Sequence, residues 1–490
     1  MNLNKMLGIA AVLALAAPAV SQVFPVVPYT RTFDLFVADT FDSVALLEKE
    51  NIYRLSDFNQ DGDYLDAGEV MNFFEDTAAD LLATMTGTCC GVDGTVYVCD
   101  STTDVVLALR DATGDGDAND IGEAVVFFDS AANASGIQLG SAQSLVQDML
   151  GRIFVLTANS GSPAVGIDGI VKLEDLNLDG DANDLNEASY YFQVPNASGG
   201  LGHSNPTEFA IAPDGSIYYG DIAGTTGSPV AKGIYRLYDT DLSGVIDPTE
   251  VVLWWVPPFG TSAAWYGFAV DITGHLYACN HGSGNRRIDR AFDTDSSGLI
   301  DLAEQQQVYG VGVSATWWDF ARRDDGKFLM LDGITDGITS LVDLTFDGDF
   351  DDLNEATIVF DKNAVGLPNI DLRSMAIMRA PTLMMSPPVV PIGQPTTFTI
   401  RTAEPFDIAV PAAALFSIAP ISLPPYGNLE IDPFTLITFG VGISDAAGNY
   451  NHVLALANDP ALIGSYGCQA LCGDLWRLFL SNPAPLAITP

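Results

Sequence analysis

An acidic loop of one pattern, Asp-x-(Asp/Asn/Thr)-x-(Asp/Ser)-Gly followed shortly by Asp-x-x-Glu, is written six times between Asp57 and Glu355. The copies begin at Asp57, Asp111, Asp175, Asp239, Asp293 and Asp343, so successive starts are 54, 64, 64, 54 and 50 residues apart, and they close at Glu69, Glu123, Glu187, Glu250, Glu304 and Glu355. Repeats of about this size mark propeller blades or a solenoid, because each unit buries its apolar face only against a neighbour.

The segments around each loop define the unit. Upstream lie short β-rich runs such as Ile52-Tyr-Arg-Leu, Val105-Val-Leu-Ala-Leu and Gly233-Ile-Tyr-Arg-Leu; downstream lie Val70-Met-Asn-Phe-Phe, Ala124-Val-Val-Phe-Phe and Val251-Val-Leu-Trp-Trp. Each loop therefore joins two strands of a hairpin. A second hairpin with a Gly turn precedes it, as in Phe209 to Tyr219 (turn at Asp214-Gly215) and Phe268 to Ala278 (turn at Gly274), with the same signal at Asp93-Gly94 and Gly151. Four strands per unit and six units predict an all-β chain built on a six-bladed β-propeller. The first unit begins only at Phe33-Asp-Leu-Phe-Val-Ala and lacks an innermost strand, while a spare strand at Ser374-Met-Ala-Ile-Met follows the sixth unit. Pairing the two closes the ring and favours it over an open solenoid.

Oxygen-bearing side chains at alternate positions, a Gly for the sharp turn and a terminal Glu able to use both oxygens suit a hard, large cation, so the loops predict several structural Ca²⁺ ions. The Asp-Gly-x-(Ile/Leu)-Tyr hairpin followed by Ile-Tyr-Arg-Leu resembles six-bladed propellers of the NHL and gluconolactonase-like type over about residues 30 to 379, and the loops resemble the EF-hand and dockerin calcium loop. In the two copies with twelve-residue spacing, the resemblance implies ligands at Asp239, Asp241, Ser243 and Glu250, and at Asp293, Asp295, Ser297 and Glu304. The other four hold one more residue before the Glu and add an Asp after the Gly. Their implied donors are Asp57, Asn59, Asp61, Asp63; Asp111, Thr113, Asp115, Asp117; Asp175, Asn177, Asp179, Asp181; and Asp343, Thr345, Asp347, Asp349. The shell is completed either by Asp66, Asp120, Asp184 and Asp352 or by the Glu that follows each, Glu69, Glu123, Glu187 and Glu355. No helices flank these loops, which points to a structural ion and away from a sensor's opening motion.

Composition narrows the partners. The 63 acidic and 20 basic residues give a formal charge of −43, which repels nucleic acid and anionic membrane surfaces and leaves cations or neutral molecules. Lys5, the apolar run Met6 to Ala17 and Ala19-Val20-Ser21 read as a secretory signal over 1–21, cleaved after Ser21, so the mature chain is expected outside the cell or at its surface. No later stretch has the roughly 20 apolar residues of a membrane helix. Six cysteines stand in this exported context; Cys468 and Cys472 read as a local disulfide, and Cys89, Cys90, Cys99 and Cys279 admit three pairings.

Residues 380–395 are rich in proline and read as a linker. Beyond it, Thr396-Thr-Phe-Thr-Ile-Arg, Leu415-Phe-Ser-Ile-Ala, Leu436-Ile-Thr-Phe-Gly-Val and Val453-Leu-Ala-Leu-Ala predict a small antiparallel β-sandwich over 396–490. Gly427-Asn-Leu-Glu-Ile-Asp, Asp445-Ala-Ala-Gly-Asn and Asp459 to Ala470 resemble a C-terminal β-domain of exported planctomycete-type bacterial proteins, which implies a surface or secreted context and no activity.

On the face opposite the acidic loops, the connections 196–206, 221–232, 280–287 and 309–318 bring together His203, Asn280, His281, Arg286, Arg287, Trp317 and Trp318. Such a set could hold a sugar or another polar ligand, although packed tryptophans and acid-balancing arginines are the commoner use of these residue types. No Gly-x-Ser-x-Gly elbow, Cys/His nucleophile motif or phosphate-cradling Gly loop is present. Gluconolactonase-like enzymes hold a central metal through acidic and amide side chains; Asp148, Asp271 and Asp319 fall on or near inner strands, where turn or strand-end acids are the ordinary reading. The sequence thus points to a secreted calcium-binding propeller that binds or scaffolds an extracellular carbohydrate or protein. The alternative is a divalent-metal-dependent lactonase-like or lyase-like enzyme with its site in the channel.

Overall fold

The computed structural model describes residues 34–489 apart from 41–49, 77–81, 159–166, 195–203, 223–231, 257–263, 281–285, 311–316, 402–407, 432–436 and stretches of four residues or fewer. The expected signal segment 1–21 lies outside the described residues. The chain divides into two compact units, one spanning 32–380 and one containing 381–490.

The first unit is a six-bladed β-propeller of four-stranded antiparallel sheets. Blade 1 contributes β1 (Leu35–Asp39), β2 (Asn51–Leu55) and β3 (Val70–Glu75); blade 2 is β4 (Met85–Cys90), β5 (Val96–Asp100), β6 (Val105–Leu109) and β7 (Ala124–Asp129). Blade 3 is β8 (Ala142–Gln147), β9 (Ile153–Thr157), β10 (Gly169–Leu173) and β11 (Ala188–Gln193). Blade 4 is β12 (Pro206–Ile211), β13 (Ile217–Asp221), β14 (Gly233–Leu237) and β15 (Val251–Trp255). Blade 5 is β16 (Trp265–Val270), β17 (Leu276–Asn280), β18 (Arg287–Ala291) and β19 (Gln305–Tyr309). Blade 6 is β20 (Trp317–Arg322), β21 (Phe328–Asp332), β22 (Gly337–Leu341) and β23 (Ala356–Asp361). The strand β24 (Leu372–Ile377) then returns to pair antiparallel with β1, with Leu35 opposite Ile377, and supplies the inner strand of blade 1.

The second strand of each blade is apolar on both sides: β5, β9, β13 and β17 are buried at every position. The buried polar residue that ends this strand in blades 1, 2, 4 and 5 pins the backbone leading into the inner strand, whereas Thr157 in blade 3 donates to the Ile167 carbonyl. Asp100 accepts from the Ala83 and Thr84 amides, Asp221 from Asn205, Asn280 from Ala264 and Asp39 from Asp371. Burying a carboxylate there is tolerable because backbone N–H groups replace its water.

Two β-bulges recur in the blades. On every outer strand one residue is left out of the ladder: Phe73, Phe127, Tyr191, Trp254, Val308 and Val359. Each of these carbonyls accepts instead the amide of the eighth residue of the acidic loop in the following blade. Phe73 accepts from Ala118, Phe127 from Ala182, Tyr191 from Ile246, Trp254 from Ile300, Val308 from Phe350 and, across the seam between blades 6 and 1, Val359 from Tyr64, all at 2.7–2.8 Å. The eighth side chains go inward with the amide; Tyr64, Ala118, Ala182, Ile246 and Phe350 are buried. A bulge thus turns an outer strand, which would otherwise expose an edge, into an acceptor for its neighbour.

The inner-strand bulge sets the second residue of the strand aside and aligns the third positions around the axis: Gly87, Ser144, Glu208, Gly267, Asp319 and Ser374. Where this ring holds Gly, the neighbouring inner strand comes close. A Cβ at Gly87 would lie 2.7 Å from Ser144 Cα, and one at Gly267 would lie 2.6 Å from Phe320 N.

In the second unit, β25 (Thr382–Ser386), β27 (Pro395–Arg401) and β33 (Asn449–Ala455) form one sheet. A larger sheet runs β26 (Val389–Pro391), β36 (Ala484–Thr489), β34 (Gly464–Gly473), β28 (Ile408–Ala414) and β31 (Ile437–Thr438). Leu383, Phe398 and Ile400 of the first sheet share one core with Val390, Ala409, Ala413, Ala470, Leu486 and Ile488 of the second. Three expectations change. The segment 380–395 is not a linker, since it supplies β25 and β26 and buries Leu383 and Val390; Pro391 ends β26 and Pro395 begins β27, positions that tolerate the missing donor. The sandwich is not purely antiparallel, because β26 pairs parallel with β36. Cys468 and Cys472 form no disulfide: both lie in β34, and four residues of extended chain set their Cα atoms about 13 Å apart, twice what a disulfide spans. All six cysteines are free thiols.

The close approach at the ring of third positions gives a direct test. Gly267→Ala is expected to destabilise the propeller by about 1–3 kcal/mol through overpacking against β20, measured by chemical denaturation. A variant as stable as the parent would show that the inner strands can separate freely.

Candidate functional site: acidic loops and central channel

All six acidic loops adopt one geometry. The Gly after the fifth position has a φ between +81° and +106°, a left-handed conformation that suits Gly. Its amide donates to Oδ2 of the first Asp at 2.8–3.0 Å, in the pairs Gly62–Asp57, Gly116–Asp111, Gly180–Asp175, Gly244–Asp239, Gly298–Asp293 and Gly348–Asp343. At the other end, the amides of Asp66, Asp120, Asp184, Asp247, Asp301 and Asp352 donate to Oε2 of the Glu three residues on, at 3.1–3.2 Å. Asp247 and Glu250 complete a reciprocal capping box on a short 3₁₀ turn, which is the local reason for the Asp-x-x-Glu spacing.

The Glu carboxylate also reaches back across the loop. Its Oε1 accepts from the amides of Thr113, Asn177, Thr240, Thr294 and Thr345, and from Asn59 at 3.5 Å. Glu250 and Glu304 are held below the usual carboxylate range by the hydroxyls of Thr240 and Thr294 and by these amides. In Glu69 burial outweighs the amide bonds and raises it.

Three loops bring carboxylate oxygens of three residues within 4.8 Å of one another: Asp115, Asp117 and Glu123; Asp239, Asp241 and Glu250; Asp293, Asp295 and Glu304. In two others an amide nitrogen sits among the acids. Asn59 Nδ2 donates to Asp61 and Asp66, and Asn177 Nδ2 donates to Asp179 (3.0 Å) and Asp184 (2.7 Å). In the loop from Asp343, Asp347 accepts from the Asp349 amide and Asp349 from the Asp351 amide. The Oδ1 atoms of Asp63, Asp117 and Asp181 likewise accept from the amide two residues on. Ser243 and Ser297 hold their hydroxyls against the Val245 and Leu299 carbonyls. The closing Glu takes the same place in twelve- and thirteen-residue loops alike, whereas Asp247 and Asp301 spend Oδ1 capping the turn amides of Thr249 and Ala303. Carboxylates bonded to amides keep lone pairs for a cation, so the three loops with converging carboxylates fit a hard ion of the calcium class as they stand, while the loops of Asn59 and Asn177 turn an amide nitrogen to their acids.

The channel carries a second polar constellation. Glu208 and Asp319 stand at equivalent ring positions of blades 4 and 6, on either side of Gly267 in blade 5. Ser144 donates to Glu208 at 2.8 Å, while Ser374 Oγ and the Met375 amide donate to Asp319 at 3.2 and 2.7 Å. Ser374 in turn meets Thr88 Oγ1 at 3.0 Å. Burial raises both carboxyls above their ordinary range, and the charge of Asp319 raises Glu208 further against the Phe209 amide and the Ser144 hydroxyl. Sequence reading singled out Asp319 but missed Glu208, Ser144 and Ser374. The signal was available in the third residue of each inner strand, once the six strands are aligned on their bulge.

The other residues anticipated by sequence have structural partners. Asp148 and Asp271 leave the channel for the Gly-turn face, where they pair with Arg152 and His275. Trp317 is buried beside Tyr309 and Phe320, Trp318 lies under the Arg373 guanidinium, and Arg287 pairs with Asp289. Asn280 is the buried strand-end residue that pins the Ala264 amide. His203, His281 and most of the four connections on that face lie outside the described residues.

No family model and no curated protein matches the chain. Among solved structures it is similar to the periplasmic gluconolactonase of Pseudomonas aeruginosa (13% identity, 71% of this chain and 99% of that chain, TM-score 0.42). It is also similar to a catalytically inactive virginiamycin B lyase from Staphylococcus aureus with quinupristin (11%, 75% and 92%, 0.39) and to the calcium-binding regucalcin of Agrobacterium tumefaciens (11%, 66% and 82%, 0.39). Likenesses this distant transfer no chemistry. No helix among the described residues is long and apolar enough to cross a membrane.

The raised carboxyl of Glu208 makes a signed prediction. A group whose folded pKa exceeds its unfolded value binds more protons in the folded state, so stability falls as pH rises from the ordinary carboxylate range, about 4.3, through the folded value near 8. Glu208→Gln, which still accepts from Ser144, is expected to remove that decline and to gain stability over the parent most at pH 8. Parallel stability curves for the two proteins from pH 5 to 8 would refute it.

Proposed function

We propose that the protein is a secreted, calcium-stabilised β-propeller that binds or scaffolds a neutral or cationic ligand outside the cell, a carbohydrate or a protein, with Ca²⁺ as the structural ion of its blade loops. One observation carries this reading: six loops, in six blades, share one backbone geometry, and in three of them carboxylate oxygens of three residues converge. Without a cation each loop holds several carboxylates in a small volume, which repel one another. An ion of charge +2 cancels that repulsion, and its binding adds to folding free energy. The role is structural because the loops join strands and are docked on their neighbours, which leaves no helix pair to open. Secretion rests on the signal-like segment 1–21 and fits loops of modest affinity, since extracellular modules fill at about 10⁻⁴ to 10⁻³ M Ca²⁺.

A divalent-metal-dependent lactonase-like or lyase-like enzyme is the second reading, and the pair Glu208 and Asp319 in the channel is what favours it. Those two carboxylates, with the hydroxyls of Ser144 and Ser374, could hold one ion or a polar substrate on the axis. The two readings differ in where metal sits, at the periphery or in the channel.

Thermal unfolding of the mature chain in EGTA, with calcium then restored and bound metal counted, tests the first reading. Several ions per chain and a rise of about 2.7 kcal/mol in stability for each loop at a hundredfold excess over its Kd are expected. Asp239→Ala should lower the count by one and reduce the rise. Absence of bound calcium and of any rise would leave the loops as solvated turns; a single ion abolished by Asp319→Asn would favour the channel.

A further inference from the structure

We propose that each acidic loop is a clamp between blades: ion binding in one blade is coupled to the docking of that loop on the bulged strand of the blade before it, so the stabilisation appears across the blade boundary. The inference rests on the calcium reading of the loops and goes beyond it in saying where the ion's effect is felt.

The geometry of blades 3 and 4 shows the coupling. In the loop from Asp239 to Glu250, Ile246 is the eighth residue, set between two fixed points. Two residues before it the Gly244 amide is bonded to Asp239, and one residue after it the Asp247 amide is bonded to Glu250. Both anchoring carboxylates belong to the group that would take the ion. Ile246 itself faces away from that group: its amide donates to Tyr191 O at 2.7 Å, it forms an isolated parallel bridge with Phe192, and its side chain is buried among Phe192, Tyr219 and Leu237. Tyr191 is the bulged residue of β11, skipped by the ladder between β10 and β11. The charge of Asp239 adds to burial in raising the Tyr191 hydroxyl, so the loop's acids are felt in the preceding blade.

Repulsion among Asp239, Asp241 and Glu250 therefore cannot relax by opening the hairpin tip without moving Ile246 off Tyr191. The converse also holds, because affinity coupling is reciprocal: loosening Ile246 must weaken the ion. The same contact recurs at all six boundaries, including the seam where Tyr64 of the first loop meets Val359 of blade 6. The clamps form a closed belt of loops outside the inner ring.

Hydrogen exchange on the full mature chain, in CaCl₂ and in EGTA, reads this directly. For Asp239→Ala in calcium, exchange in β11 (Ala188–Gln193) of blade 3 is expected to rise about tenfold, as for a locally opened segment, while β19 (Gln305–Tyr309) of blade 5 stays at parent rates. A rise confined to blade 4 itself would overturn the clamp and leave calcium binding intact. Exchange in the parent that is the same in CaCl₂ and EGTA would overturn the calcium reading, and the clamp with it. Ile246→Ala keeps every oxygen donor and serves as the reciprocal variant: its loop should need about tenfold more calcium to reach protection, and unchanged calcium dependence would again sink the coupling.

Discussion

The hydrogen bond from the eighth residue of each acidic loop to the bulged carbonyl of the preceding outer strand is the contact on which the ring depends. An isolated four-stranded blade exposes two edges and two apolar faces, none of which water tolerates well. The bulge solves both problems at once. It releases a carbonyl from the ladder toward the neighbour, and it turns the aromatic or aliphatic side chain of the same residue into the blade, where Phe73 meets Phe36 and Tyr191 meets Phe154 edge to face. The next loop then closes over it. The acidic side chains and the contact that docks neighbouring blades share one stretch of twelve or thirteen residues.

Inside that belt, blade contacts differ from place to place. Gly87 and Gly267 let inner strands touch backbone to backbone, whereas Ser144 with Glu208, and Asp319 with Ser374 and Thr88, join their blades through hydrogen bonds. The six ring positions therefore trade close packing against polarity, and the two carboxylates flank Gly267, where β16 and β20 approach backbone to backbone. A buried acid is costly unless donors surround it; here serines and backbone amides supply them, and the residual cost is expressed as carboxyls that hold their protons toward neutral pH.

Much of this architecture was legible from residue patterns, because the acidic loops punctuate the chain at blade intervals and alternating apolar runs flank them. The return of the final propeller strand to the first blade was legible as well, from a unit with one strand too few and a strand left over. The bulges were not, since a residue set aside from a ladder looks like any other apolar residue in a run such as Val-Met-Asn-Phe-Phe. The channel acids escaped for a related reason: Glu208 gains its meaning only from the register that puts it level with Ser144 and Asp319. Proline content misled at 380–395, where Pro391 and Pro395 stand at strand ends, and cysteine spacing misled at Cys468 and Cys472, where an extended strand holds the pair apart.

The pairing of β24 with β1 also fixes an order of events. Asp371 donates its amide to Asp39, 332 residues earlier, and no shorter piece of the propeller can complete the first blade. Loop-closure entropy over such a span, and the non-local contacts it delays, make this the slow step of folding. Until then blade 1 is open along β1, so a chaperone able to shield β1 would act on the longest-lived unfinished edge of the propeller.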